Sequence, residues 1–225
     1  MNDEFYTKPE IYEAVKNYAV NEYSLQGREI VRPFWKGGDY KNFNYPIGGV
    51  VIDNQPFSKS AEIVDFYLEK GIDFFLFCQT QRTLSLLKTE RDITLIICSE
   101  RVKYDNQEEK IGTSFITNLD KKYRVKTAVE LSRKFREIQG ELAKASAYKY
   151  PDNFVVGHML ERYARNDIDF SVEKEDCYTK RILTSTDGKK VNAFGGGLVL
   201  HGKAVDKKKA AEEEYEQKGL IELVV

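Results

Sequence analysis

At 225 residues, 41% apolar and 32% charged, the chain can bury a sizeable core. It fits one large globular domain or one domain with a small appendage. A net charge of −1 supplies no bulk positive field, so nucleic-acid binding requires a local basic patch. Three dispersed cysteines without a CxxC pair (Cys78, Cys98, Cys177) and two histidines (His158, His201) argue against a dedicated zinc cage. No apolar run reaches the ~18 residues of a membrane span, and the polar N-terminus does not read as a signal peptide. The expectation is a soluble cytoplasmic protein with reduced thiols, two of them in buried strand-like runs.

Taken in order, Thr7, Pro9 and Glu10 read as the cap and first turn of a helix. Ile11, Val15, Tyr18 and Ala19 share one of its faces, and Gly27 is its expected stop. Glu29 to Phe34 reads as a short strand leaving through a loop that contains Trp35, Gly37 and Gly38. Val50-Val51-Ile52-Asp53 is a buried strand opening into Asn54-Gln55-Pro56-Phe57-Ser58, with Ser58 as cap of the next helix and Gly71 as its end. Strands follow at Ile72 to Cys78 and Ile93 to Cys98, separated by a short helix over Thr80 to Lys88. Tyr104 to Lys110 is a polar turn, and Gly112 to Thr117 has the pattern of a returning hairpin strand. This alternation predicts an α/β fold with right-handed crossovers and a largely parallel sheet.

Beyond residue 120 the pattern changes. Lys126 to Lys149 carries helical periodicity, Phe154 to Asp169 mixes an apolar stretch with helical spacing, and short segments lead to Ala193 to Leu200. Ala204 to Gln217 reads as a charged helix whose Lys207–Lys209 and Glu212–Glu214 runs form a solvated face. The expected division is 1–120 as the main core and 121–225 as an α+β C-terminal region, on the same sheet or beside it. Gly195-Gly196-Gly197 lacks a following Lys-Ser/Thr, which favours a closely packed or bulged strand over a phosphate cradle.

Ligand sites in open α/β sheets lie at the carboxyl ends of strands, which directs attention to Asn54. Asn54-Gln55-Pro56-Phe57 resembles the Asn/Asp-x-Pro-aromatic motif of S-adenosylmethionine-dependent amino-methyltransferases, nearest the adenine-N6 DNA enzymes of phages and restriction–modification systems. The resemblance covers roughly the first 120 residues and implies a Rossmann-like methyltransferase core. It implies that Asn54 orients the target amine, Gln55 lends a backbone carbonyl, Pro56 fixes the turn and Phe57 stacks on a flipped base. Tyr6, Thr7 and Pro9 look like the (F/Y)-T-P element of that family, although Lys8 interrupts it. Pro33, Phe34, Gly37 and Gly38 stand where the family carries its cofactor loop, and Asp39 is the available ribose ligand. The cofactor so implied is S-adenosylmethionine, and the partner is DNA.

The departures are specific. Gln55 replaces the usual proline and Arg32 the usual acid. Only 21 positions (54 − 33) separate Pro33 from Asn54, too few for the βα unit that normally brings acids to the cofactor. Two alternatives therefore stand beside an active enzyme. One is a catalytically inactive methyltransferase fold that binds nucleic acid or inhibits a protein partner; the other is an ordinary strand-ending Asx-Pro turn. Lys121, Lys122, Arg124 and Lys126, with Arg133, Lys134 and Arg136 nearby, form the densest basic cluster. They read either as a solvated face or as phosphate contacts.

Overall fold

The computed structural model describes residues 7–35, 38–87, 91–98, 100–104, 111–139, 150–184 and 190–222. Tyr6, Gly37, residues 105–110 of the expected turn and residues 140–149 of the expected helix lie outside the described residues. In the first half, α1 (Pro9–Glu22) precedes β1 (Ile30–Val31), β2 (Val50–Asp53), α2 (Ser60–Lys70), β3 (Asp73–Gln79), α3 (Thr80–Leu86), β4 (Thr94–Ile97), β5 (Arg101–Val102) and β6 (Ile111–Thr117). Then come β7 (Tyr123–Thr127), α4 (Val129–Gln139), β8 (Phe154–Val156), α5 (Gly157–Arg165), β9 (Ser171–Glu173), β10 (Cys177–Thr184), β11 (Lys190–Leu200) and α6 (Lys203–Glu222).

The main sheet is mixed, in the order β1-β2-β3-β6-β4-β7-β9, with β5 paired onto β6. β1, β2 and β3 are parallel neighbours, and β4 and β7 run in the same direction. The returning strand β6 does not simply form a hairpin with β4. It inserts between β3 and β4, antiparallel to both. β2 is buried at every position, as an interior strand covered on both faces must be. Its side chains alternate, with Val51 facing a core shared with α2, α3, α5 and α6 and Val50 and Ile52 facing a core shared with α1 and α4. Phe74, Leu76 and Cys78 of β3 join the first core, and Phe75 and Phe77 join the second.

A second sheet, β10-β11-β8, is antiparallel throughout. The glycine run explains its packing. A Cβ on Gly197 would lie 2.2 Å from the Phe154 ring, and Gly196 takes a left-handed φ of +86° opposite an irregularity in β10. The run is a closely packed, irregular strand.

Several local expectations shift. The helix expected from Lys126 begins at Val129, because Tyr123–Thr127 is drawn into the sheet as β7. Lys8, not Thr7, occupies the N-cap position of α1 and makes no side-chain cap bond. α1 ends at Glu22, and Gly27 (φ +83°) turns the connector to β1 instead. Ser58 lies within a 3₁₀ turn, Phe57–Lys59, that precedes α2, so it is not the cap. Gly71 ends α2 in the left-handed conformation as expected. Cys78 and Cys98 are buried. No helix among the described residues is long and apolar enough to cross a membrane.

Candidate active site at the carboxyl ends of β1 and β2

β1 and β2 pair in parallel, Ile30 with Val50 and Val31 with Val51, so the turns that follow them emerge side by side. Asp53, the last residue of β2, is 1% exposed. One of its carboxylate oxygens accepts from Arg32 Nε at 3.2 Å and from the Asn54 backbone N–H at 2.9 Å. The other accepts from the Phe34 N–H at 2.8 Å. Burial pushes the Asp53 carboxyl above the usual range, opposed by the Phe34 amide and the Arg32 charge.

The Arg32 guanidinium is sandwiched between two rings, 3.7 Å from the centroid of Tyr12 and 4.2 Å from that of Trp35. Tyr12 is fixed by its hydroxyl donating to the Ile52 carbonyl at 3.1 Å. Burial pushes this phenol up to about 12, with Arg32 acting against the shift. The sandwich thus joins the first turns of α1, the exit of β1 and the end of β2.

Asn54 donates from Nδ2 to Thr7 Oγ1 at 3.1 Å. This bond fixes the side-chain amide and explains why Thr7, 4% exposed, is buried without capping α1. Gln55 is 1% exposed and donates to the Phe77 carbonyl at 3.4 Å; its Oε1 has no hydrogen-bond partner among the described residues. Pro56 leads into the 3₁₀ turn with φ −59°. Phe57 is 6% exposed and meets the Tyr104 ring edge-on, 6.3 Å between centroids.

The expected cofactor loop divides. Phe34 packs on Tyr40 and Tyr67. A Cβ on Gly38 would fall 2.2 Å from the Pro33 carbonyl oxygen, so the glycine is required by the loop folding back on its own backbone. Asp39 is exposed and accepts from the Lys41 N–H at 3.0 Å and Asn42 Nδ2 at 2.7 Å; these bonds hold its carboxyl below the usual range. Pro9 begins α1, a role its ring geometry suffices to explain. The structure therefore brings Thr7, Asp53 and Asn54 together with Tyr12, Arg32 and Trp35, and it engages Asp39 in a turn of its own.

Most of the basic cluster sits at the other edge of the sheet. Lys121 and Lys122 precede β7, whose direction matches β2, so they lie at the amino ends of the parallel strands. Lys121 pairs with Asp92 and Lys122 with Glu173. Arg124 donates to the carbonyls of Arg91 and Leu87 at 2.6 and 2.7 Å. Lys126 pairs with Glu22 and Asp120, and Arg133 and Arg136 both pair with Asp167.

One polar cluster had no linear signal. Thr80 and Ser114 hydroxyls lie 2.9 Å apart in the interior, and Thr80 hydrogen-bonds the Glu161 carboxylate. Burial raises Glu161 above the usual carboxylate range against the opposing charges of Arg165 and Arg101, and the neighbouring Glu100 adds to the rise. Four separate elements contribute, so spacing could not have assembled it. Cys177 lies elsewhere, its thiol pushed up to about 11 by burial, which makes it a poor nucleophile. Among the described residues no His, Cys, Asp or Glu group forms a metal site. Family models, curated proteins and solved structures all return no match to the chain.

Proposed function

We propose that this chain is a methyltransferase-like protein of the adenine-N6 DNA type whose motif serves as a binding surface and transfers no methyl group. The observation that carries the reading is the Arg32 guanidinium, held between Tyr12 and Trp35 and paired with Asp53. S-adenosylmethionine brings a sulfonium cation, and the Arg32–Asp53 ion pair, neutral as a unit, offers it no net attraction. Asp39 is engaged by its own turn, and Phe57 is buried against Tyr104. The residues at the exit of β1 do not fit the cofactor, so no reaction step is derived through it.

Isothermal calorimetry tests the reading. Neither S-adenosylmethionine nor its demethylated product should give heat, and neither should raise the unfolding free energy. A genuine ligand at 100 times its Kd would add ~2.7 kcal/mol. Micromolar binding of either compound would overturn the proposal.

A second reading, an active adenine methyltransferase, is favoured by one observation. Asn54 stands at the carboxyl end of β2 with its amide oriented by Thr7, as the motif chemistry requires of a residue that positions an amine. On that reading radiolabelled methyl groups pass to DNA, and Asn54→Ala abolishes transfer while cofactor affinity stays nearly unchanged.

A further inference from the structure

We propose that the cavity at the amino ends of β2 and β3 binds an amphipathic organic anion, an apolar body ended by one carboxylate or phosphate ester. Asn54 stands at the other end of β2, so neither reading of the motif bears on this cavity. Its volume of about 440 Å³ falls within the ~300–1,000 Å³ typical of small-molecule sites. The loop that enters β2, the exit of α2 and the first residue of β3 enclose it. Gly48 (φ +73°) and Gly71 (φ +64°) both line it, and a Cβ added to either would meet no atom within 4 Å. The space beside both glycines is therefore open. Tyr45, Phe66 and Ile72, each half-buried, give the cavity apolar walls, and the Tyr45 hydroxyl is anchored by donating to the Tyr40 carbonyl at 2.7 Å. Ile47, fully exposed, adds an apolar lip.

The charges select an anion. Arg28 lines the cavity, and three bonds fix its guanidinium. Nε donates to the Gly48 carbonyl at 2.7 Å, and Nη2 donates to the Gly49 carbonyl at 3.2 Å and to the Asp73 carboxylate at 2.7 Å. Nη1 has no acceptor among the described residues, so two N–H groups of a pre-organised fork are unspent. Lys41 also lines the cavity and is paired with Glu62 at 2.6 Å. Lys70 lines it from the last turn of α2 and forms no ion pair with a described residue. Asp73 offsets Arg28, Glu62 offsets Lys41, and the charge of Lys70 is left over. A helix C-terminus by itself accounts for a lysine at that position. It does not account for a locked arginine with spare donors on the same open volume. Both cations line one cavity, so a ligand that fills it meets both, its anionic group accepting from Nη1 and the Lys70 ammonium while its apolar body covers Phe66 and Ile72.

Anilinonaphthalene sulfonate, an aromatic body with one anionic group, is the probe, titrated into the whole chain. Its fluorescence should rise saturably to a single site, with affinity that weakens as salt rises. Lys70→Glu should raise Kd about fivefold or more, and Arg28→Gln about tenfold. Lys209→Glu makes the same charge change on α6 and should leave Kd unchanged, which separates a local contact from net charge. Circular dichroism checks that the variants fold. Arg28 also braces the turn before β2, so Lys70→Glu carries the test if Arg28→Gln unfolds. Displacement of the dye then identifies the anionic group. Phenylpropionate acting alone marks a carboxylate site, phenyl phosphate acting alone a phosphate-ester site, and both a site open to either. Neutral phenylpropanamide should displace far less than the effective anion. The assignment is overturned by a dye signal that never saturates, a Lys70→Glu variant that binds like the native chain, equal displacement by the amide, or no displacement by either anion.

Discussion

Phe57 shows how one residue can satisfy a motif and yet be placed for another task. In the family it resembles, an aromatic there stacks on substrate; here it is 6% exposed and packed on Tyr104. Phe57→Ala should therefore cost about 3–5 kcal/mol of stability, the usual range for an emptied aromatic site, and a urea midpoint would register it. An unchanged midpoint would show that the ring is not part of the core. Glu161 gives a second test. Its folded-state carboxyl is raised above the ordinary 4.5 by burial, so folding binds its proton more tightly. The associated stability is fully present below that ordinary value and is lost as pH rises through the folded one. Native protein should lose stability over this interval more steeply than Glu161→Gln, which keeps the size and removes the titration. Parallel slopes in urea midpoints from pH 4.5 to 8 would contradict this. Asn54 was legible as a strand-end residue from the apolar run before it; its bond to Thr7, 47 positions away, was not. The pairing of Arg32 with Asp53 was equally hidden, since sequence shows the basic residue as a departure and not what it touches.

At the scale of elements, the sequence signals were good where one period dominates. α1, β2, α2 and β3 appear close to their expected places because their apolar spacing is unambiguous and Gly71 punctuates them. Two expectations were displaced, each for its own reason. Tyr123–Thr127 buries Val125 and Thr127 in alternation, a strand pattern, but its flanking charges merge with the helical period of α4. Thr7 and Ser58 have the chemistry of N-caps, yet each is displaced from the cap position, Thr7 to bond Asn54 and Ser58 into a 3₁₀ turn. Strand order lay beyond local reading altogether, because inserting β6 between β3 and β4 depends on partners distant in the chain.

At the scale of the molecule, the expected boundary near residue 120 runs through one continuous core. A single apolar cluster holds Val51 and Phe74 from the first part together with Leu160, Val172 and Ala211 from the second. β7 and β9 extend the same sheet. α6 is tied back to α5 by Glu212, which accepts from both Arg162 and the Tyr163 hydroxyl. A fragment of residues 1–120 should thus lack a cooperative transition in denaturant, whereas the whole chain should unfold in one. Independent folding of the fragment, seen as protected amides in hydrogen exchange, would refute this. The position of β6 has a final consequence, for the chain while it is being made. Synthesis delivers β3 before β6, so the backbone edge along Phe74 to Cys78 has no neighbour on that side until residue 117 has emerged. An apolar, open strand edge is a template for wrong pairing, and β4 arrives first with the same kind of apolar run. Premature pairing of β3 with β4 would have to be undone before the native order forms, a kinetic trap created by the topology.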